Sequence, residues 1–187
     1  MSYYKAGKRT GKIWNDLKNL DKLIKVKNFN QSVRNEKEYL HWLAGILSEN
    51  SYEFSSSIKI ETDRNKKVEG VFCFGRKHRP DISIGDNAIV IELKYIKKDN
   101  EDEFKRAIGQ LMIYRIKYKF GILLIILSDE QKELYYNIVK EKSERDFEEL
   151  TDYLAKELNI YTYIIPDFNL KPGIPKIFTS FKEENFK

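Results

Sequence analysis

The chain has 187 residues, of which 41% are hydrophobic and 34% are charged, a balance that is typical of a soluble globular domain and excludes a disordered chain. The net charge of +5 and the sequence pI of about 9.0 favour a polyanionic partner. The longest apolar run, residues 121–127, is too short to span a membrane.

The cysteine content and the N-terminus bear on the cellular compartment. Cys73 is the only cysteine, so the chain has neither an internal disulfide nor a cysteine-based zinc site. We therefore expect a reducing, cytoplasmic (intracellular) environment, and we expect Cys73 itself to lie in the core. Residues 1–12 contain no apolar segment, so we expect no signal peptide.

Positive charge is concentrated in two segments. Residues 1–29 carry eight Lys and Arg against two Asp, and residues 64–79 carry six Lys and Arg against one Glu. A phosphate-binding surface requires such segregated charge, although lysine-rich segments are also common as plain solvated surface. The charge pattern favours nucleic acid as a partner without deciding the question.

In chain order, the hydrophobic pattern predicts helices alternating with strands. Leu40, Leu43 and Leu47 repeat at helical spacing, and Asn35 is suited to cap the start of their helix. The continuous apolar run over 120–127 is typical of a strand buried on both faces. The predicted elements are helices over 9–27 and 31–50, a strand over 52–62, a polar loop over 63–79 with a short strand at 71–74, a hairpin over 79–96, a helix over 101–119, a strand over 120–127, a helical region over 129–157 and a strand over 159–165.

This order predicts an α/β fold, specifically a three-layer sandwich with a central mixed β-sheet, in which helix 101–119 crosses over between two strands. No Gly- or Pro-rich linker interrupts the chain, so we expect a single domain over residues 1–187. Within this domain we expect a basic N-terminal helical extension over 1–30, an α/β core over 33–166 and an irregular tail over 167–187.

The hairpin over residues 79–96 brings three charged side chains together. A turn signal at residues 85–87 separates its two strands. A two-residue turn there would pair Asp81 with Glu92, and a shift of one residue would still leave the two carboxylates close. Because side chains alternate along a strand, Lys94 shares a face with Glu92.

Two carboxylates held together repel each other unless a cation offsets their charge. Hard oxygen ligands favour Mg²⁺ or Mn²⁺ over Zn²⁺. Lys94 beside such an ion could orient or deprotonate an attacking water and offset charge on a phosphate. The alternative is an ordinary Glu–Lys pair on a surface strand, but the apolar flanks, AIVIELKYI over residues 88–96, make charges there costly unless they are used.

The sequence RPD, which ends at Asp81, and the sequence IELK, which ends at Lys94, resemble the PD-(D/E)XK motif of the restriction-endonuclease-like nuclease superfamily. The resemblance covers roughly residues 33–127. It implies a Mg²⁺-dependent nuclease that hydrolyses DNA phosphodiester bonds with a metal-activated water. Asp81 and Glu92 would bind the metal, and Lys94 would serve the water.

Two predicted helices extend this resemblance. The superfamily often supplies an acid from the helix before the strands, and Glu36 continues the apolar stripe of that helix, whereas Glu38 lies about 200° around it. Glu36 could instead merely occupy the favourable first helical turn. Gln110 and Tyr114, in QLMIY, resemble the QxxxY helix of RecB-like nucleases, in which these residues lie near the metal and the DNA backbone. They could instead be a surface residue and a core residue.

The residues predicted to act on DNA fall into two groups. The predicted catalytic residues are Asp81, Glu92, Lys94, Glu36 and Gln110. The predicted nucleic-acid-binding residues are Arg76, Lys77, Arg79 and Tyr114. Two other functions stay open, namely a catalytically inactive nuclease-fold protein that binds nucleic acid and a different metal-dependent or small-molecule enzyme. The resemblance also leaves open the form of DNA, a role in repair or restriction, a homodimer and a helicase-type partner.

Overall fold

The computed structural model describes residues 10–26, 35–61, 67–98, 101–140 and 145–182. These residues form an α/β fold, as predicted from the sequence. Single 3₁₀ turns occur at Ser51–Glu53 and Asp129–Gln131. The helices and strands are α1 (Lys12–Val26), α2 (Glu36–Glu49), β1 (Ile58–Ile60), β2 (Val71–Cys73), β3 (Arg76–His78), β4 (Ile82–Ile84), β5 (Ile89–Ile96), α3 (Glu101–Tyr114), β6 (Phe120–Leu127), α4 (Lys132–Val139), α5 (Arg145–Leu158), β7 (Ile160–Pro166) and β8 (Phe178–Thr179).

The central sheet is mixed and has six strands in the order β1-β4-β5-β6-β7-β8. Strands β5, β6 and β7 are parallel, and the other neighbouring pairs are antiparallel. Parallel neighbours need a crossover connection, which α3 supplies between β5 and β6. Strands β2 and β3 form a separate two-stranded sheet. The predicted mixed sheet and the predicted crossover helix are therefore confirmed.

Each face of the sheet has its own core. Alternate residues of β5 point to opposite faces. Ile91 and Leu93 belong to a buried cluster that includes side chains of α1 and α2, whereas Val90 and Ile96 belong to a cluster with side chains of α3 and α4. Helices therefore flank both faces, which explains why β6 is apolar at every position and buried throughout.

The start of α2 follows from its sequence. Asn35 is extended and its Oδ1 accepts a hydrogen bond from the backbone N–H of Glu38 at 3.0 Å, so the predicted cap is confirmed. Leu40, Leu43 and Leu47 are buried as the predicted stripe requires. The first turn of α2 is thereby held at one end of the sheet.

Three predicted elements differ from the structure. The strand predicted over 52–62 is reduced to β1, because the segment before it is held in a turn in which the Asp16 carboxylate accepts a hydrogen bond from the Ser55 N–H at 2.7 Å. The helix predicted over 101–119 ends at Tyr114 in a tight turn. The region predicted as helical over 129–157 contains two helices, α4 and α5, and residues 141–144 lie outside the described residues.

The two ends of the chain are more integrated than the sequence suggested. Within the expected N-terminal helical extension, Lys12–Val26 form α1, and its buried residues Trp14, Leu17 and Leu20 pack in the same cluster as the central strands. The tail, expected to be irregular, adds the short strand β8 against β7 and buries Phe181. No helix in the described ranges is both long and apolar enough to cross a membrane.

Candidate active site

The hairpin formed by β4 and β5 has the predicted register. Ile82 lies opposite Ile91, and the same ladder places Asp81, the residue before β4, opposite Glu92. The turn between the strands contains two residues with left-handed backbone, Gly85 at φ 73° and Asn87 at φ 57°. Gly and Asn are the residues that adopt this conformation most readily, so local turn chemistry sets the register that brings the two acids together.

Two carboxylates cover the part of β5 that extends beyond the end of β4. Strand β4 begins at Ile82, so the amides of Leu93 and Tyr95 have no strand partner beyond that point. The Leu93 N–H donates to Asp81 Oδ2 at 2.8 Å, and the Tyr95 N–H donates to Glu36 Oε2 at 3.4 Å. Satisfying these amides fixes both carboxylates beside the strand.

Lys94 lies between two of the acids. Its Nζ is 3.0 Å from Glu92 Oε1 and 3.4 Å from Glu36 Oε1. The side chains of Glu92 and Lys94 are 3% and 11% exposed, whereas that of Glu36 is 47% exposed. The site is therefore buried at Glu92 and opens toward solvent at Glu36. The alternative of an ordinary Glu–Lys pair on a surface strand does not fit this burial.

Burial opposes the charges of this cluster. It raises the pKa of Asp81 to about 6, although the hydrogen bond from Leu93 and the charge of Lys94 act in the opposite direction. Burial and the charge of Asp81 together raise the pKa of Glu92 to about 7. Burial also acts to lower the pKa of Lys94, but the nearby carboxylates, Glu92 first, outweigh it and raise that pKa above its usual range. The two acids are held where their ionised forms are unfavourable without a further cation.

The donor atoms fit a hard divalent cation. Glu92 Oε2 is buried and accepts no hydrogen bond of normal geometry from the described residues. The Tyr114 hydroxyl, which donates to the Arg79 backbone oxygen, also interacts with the Glu92 carboxylate. A buried carboxylate oxygen without a partner of normal geometry requires an explanation, and an ion is one. Among the described residues, no group of three or more His, Cys, Asp or Glu converges closely enough to hold a metal. Mg²⁺ is commonly held by one or two carboxylates together with water and substrate phosphate, so the pair Asp81 and Glu92 fits Mg²⁺ or Mn²⁺.

Helix α3 places the QxxxY residues against the sheet. Tyr114 is fully buried, and its hydroxyl donates to the backbone oxygen of Arg79 at 2.8 Å. The predicted contact of Tyr114 with nucleic acid does not fit this burial, and the alternative that Tyr114 is a core residue does. Burial raises the pKa of Tyr114, and the charges of Glu92 and Asp81 add to the effect. Tyr114 therefore lies beside the acidic pair and anchors the backbone two residues before Asp81.

Gln110 is one helical turn before Tyr114 on the same face of α3. Its side-chain oxygen Oε1 is buried, and no hydrogen-bond partner for it occurs in the described part of the chain. The alternative of a plain surface residue does not account for this buried oxygen. Other buried oxygens, such as Asp16 Oδ2 and Thr162 Oγ1, also have no partner in the described part of the chain, so the unpaired oxygen of Gln110 does not by itself assign Gln110 to the acidic pair.

Replacing Tyr114 by Phe should test the anchoring role. We expect the free energy of unfolding to fall by about 1–2 kcal/mol, because the oxygen of Arg79 loses its donor while the ring stays in the core. Urea unfolding measures this change. The matched control is Tyr153→Phe, which alters an exposed tyrosine on α5 and should have no effect. Equal stability of the two variants would contradict the anchoring role.

The predicted basic residues Arg76, Lys77 and Arg79 are exposed on β3 and just after it. They lie immediately before Asp81 in the chain, as expected for residues that would guide a polyanion to the acidic pair. Other parts of the two basic segments, residues 1–9, 27–29 and 64–66, lie outside the described residues.

Glu61 is a further acid at this site that no pattern in the sequence indicated. The pairing of β1 with β4 sets Ile60 opposite Ile82, so Glu61 lies opposite Asp81, and the Glu61 N–H donates to the Asp81 backbone oxygen at 2.8 Å. The charge of Glu61 contributes to the raised pKa of Asp81. Glu61, Asp81 and Glu92 thus form a row of acids across three neighbouring strands. Cys73, expected in the core, is instead half-buried on β2.

Comparison of the chain with protein-family models, with curated proteins and with solved structures finds no match in any of the three. The resemblance to the PD-(D/E)XK superfamily therefore stays a prediction that rests on the residues described above.

Proposed function

We propose that this chain is a Mg²⁺-dependent nuclease that hydrolyses DNA phosphodiester bonds and has a restriction-endonuclease-like core. The observation that carries the proposal is the pair of carboxylates formed by the half-buried Asp81 and the buried Glu92, opposite each other across neighbouring strands with the Lys94 ammonium beside Glu92. Perturbed, buried acids of this kind cluster at functional sites. A structural role accounts poorly for them, because burying a repelling pair costs stability.

Asp81 and Glu92 would hold Mg²⁺ or Mn²⁺ through their oxygens, including the orphaned Glu92 Oε2. When bound, the ion would polarise the scissile phosphate and make an attacking water more acidic.

The neighbouring side chains would position the reactants. Lys94 would donate hydrogen bonds from Nζ to the attacking water or to a phosphate oxygen and so offset the charge that builds during hydrolysis. Glu36, 3.4 Å from that nitrogen, would orient it and is a positioning residue. Gln110 would accept a hydrogen bond from water through its unpaired Oε1. In this mechanism Tyr114 acts on the backbone before Asp81 rather than on DNA.

The basic side chains of Arg76, Lys77 and Arg79 would bind the phosphate backbone. All three are exposed and precede Asp81 by at most five residues. Contacts of this kind position DNA without reading its sequence. The chain could act as a homodimer or with a helicase-type partner, and it could serve repair or restriction.

An assay with labelled linear, circular and branched DNA in Mg²⁺, Mn²⁺ or EDTA tests the proposal. We expect cleavage in either metal and none in EDTA. DNA binding without cleavage in both metals would contradict the nuclease and support the inactive nucleic-acid-binding alternative. Neither binding nor cleavage would favour a different metal-dependent or small-molecule enzyme.

A further inference from the structure

The hairpin of residues 70–79, which contains β2 and β3, exposes two aromatic rings. Phe72 is 74% exposed and Phe74 is 85% exposed. Every other phenylalanine in the described residues is buried or half-buried. Two exposed rings only two residues apart form an apolar patch on one hairpin, and a patch of this kind marks a binding surface more often than a single exposed side chain does.

The tip of this hairpin has an unusual backbone. Cys73 pairs with Arg76, which leaves Phe74 and Gly75 as a two-residue turn with φ angles of 51° and 73°. Such turns favour Asn or Gly at both central positions, and a bulky residue in this conformation is uncommon. The Phe74 ring gains no burial in return for its backbone strain. Strain of this kind without a packing benefit points to a role for the ring itself.

The base of the hairpin is fixed to the domain. Val71 is buried in the cluster formed with α3. The Tyr118 hydroxyl donates to the Glu69 backbone oxygen at 2.6 Å, and Tyr114 holds the Arg79 backbone oxygen. The hairpin is therefore anchored to the domain at its base, and its second strand leads along the chain to Asp81.

Two basic residues of the hairpin, Lys77 and Arg76, lie near the rings in the ladder. Lys77 lies directly opposite Phe72 in the ladder, so the two side chains share a face. A Cβ on Gly70 would lie 2.9 Å from Lys77 Cγ and 2.6 Å from the His78 backbone oxygen, so a glycine there is needed for the close approach of the two strands. Arg76 follows the turn and is exposed. Rings interleaved with cations match a partner that has flat aromatic groups and phosphates, which is an unpaired nucleic acid strand.

We propose that the hairpin binds unpaired DNA bases by stacking them on Phe72 and Phe74, while Lys77 and Arg76 contact the flanking phosphates. Bases inside an intact duplex are stacked on each other and do not offer their faces. The hairpin would therefore select DNA with single-stranded ends, flaps or junctions. This inference rests on the proposed nuclease function, because Arg79 and Pro80 connect the hairpin directly to Asp81.

Binding of the full chain to fluorescent oligonucleotides in EDTA tests the proposal without cleavage. The ligands are a single strand, an abasic strand of the same length and a blunt duplex. We expect the wild type to prefer the base-bearing strand over both. The variants Phe72→Ala and Phe74→Asn should each weaken binding to that strand about tenfold and leave binding to the abasic strand unchanged. Lys77→Ala should weaken binding to both strands.

Phe74→Asn separates binding from folding. Asn adopts the left-handed backbone readily, so this variant should be at least as stable as the wild type while it loses the stacking contact. The control is Ile116→Ala, which removes an exposed apolar side chain after α3 and should not affect binding. Binding of the base-bearing strand that is unchanged in both Phe variants, or reduced equally for the abasic strand, would overturn the proposal. Unchanged binding would instead suit a protein partner for the rings.

The two proposals can fail separately. Base-dependent binding that the Phe variants lose, without cleavage in Mg²⁺ or Mn²⁺, contradicts only the nuclease. Metal-dependent cleavage by a protein that binds abasic and base-bearing strands equally contradicts only the role of the hairpin.

Discussion

Replacing Lys94 by Ala is expected to lower the rate of DNA hydrolysis about a thousandfold, with little change in DNA binding. Lys94 carries the only positive charge in direct contact with Glu92 among the described residues, and its Nζ lies 3.0 Å from Glu92 Oε1. A group that steadies the attacking water and offsets charge on the phosphate acts mainly in the transition state, so its loss lowers the rate constant rather than the affinity. Single-turnover cleavage at saturating enzyme measures the rate constant directly.

The Lys94→Ala variant also leaves Glu92 buried without its cation, which destabilises the fold by about 3 kcal/mol. Lys94→Arg keeps the positive charge and should fold with nearly the stability of the wild type. Its planar guanidinium does not reproduce the position of the amine, so we expect a rate at least about a hundredfold below that of the wild type.

The matched control for Lys94 is Lys156→Ala. Lys156 also forms an ion pair, with Asp152 Oδ2 at 3.0 Å on α5, so its loss removes a paired lysine far from the acidic pair in sequence. The control should cleave at the wild-type rate. If folded Lys94→Arg and Lys94→Ala also cleave at that rate, Lys94 has no part in hydrolysis.

Replacing Asp81 by Asn is expected to stabilise the metal-free protein on the order of 2 kcal/mol at about pH 8. The reason is that burial raises the pKa of Asp81 to about 6, above its usual value of 3.8. Asn removes the buried charge and keeps an oxygen that can accept the hydrogen bond from Leu93. The same substitution should abolish cleavage, because one of the two proposed metal ligands is lost.

The sign of the pH dependence follows from the direction of both pKa shifts. A carboxyl whose pKa is raised by folding binds its proton more tightly in the folded state than in the unfolded state. Its contribution to the free energy of unfolding is therefore complete below the unfolded-state pKa, and it is lost as the pH rises through the folded-state pKa. Asp81, whose pKa is raised to about 6, loses its contribution to stability between about pH 4 and pH 6. Glu92, whose pKa is raised to about 7, continues to lose its contribution up to about pH 7. The metal-free wild type should therefore lose stability across this window, and Asp81→Asn should lose less.

Urea unfolding in EDTA and in Mg²⁺ measures both effects. Mg²⁺ should restore stability to the wild type above pH 7, because a ligand that binds only the folded state stabilises it, and it should leave Asp81→Asn unchanged. The matched control, Asp152→Asn, removes an acid of an ion pair on α5 and should retain the wild-type pH dependence. A wild type whose stability is flat between pH 4 and 7, or equal in EDTA and Mg²⁺, would contradict this account of the acidic pair.

These expectations share one physical cause. The acids are held where burial disfavours their charge, and they stay there because backbone amides at the free edge of β5 hold Asp81 and Glu36 in place. Stability is lost at this point of the fold, and the proposed cation would recover it by binding only the folded state.

The sequence by itself determined the local part of the site. The turn chemistry at residues 85–87 predicted the register of β4 and β5, and the two-residue period of a strand predicted that Glu92 and Lys94 share a face. Both are short-range effects, in which neighbouring residues dictate backbone geometry with little help from the rest of the chain. Strand β6 and the Asn35 cap were also predicted from local sequence, because an unbroken apolar run of eight residues is typical of a strand buried on both faces and Asn is a favoured capping residue.

Only the tertiary structure decided which distant residues join the site. Glu61 reaches Asp81 across a strand pair that is connected by about twenty residues rather than by a tight turn, so no local signal sets its register. The contact of Glu36 with Lys94 depends on how α2 docks on the sheet. The helical pattern placed Tyr114 on a face of α3, but its burial and its hydrogen bond to Arg79 come from packing against the strands. Hydrophobic periodicity does not predict long-range packing, because it specifies which face of a helix or strand is apolar but not which other element packs against that face.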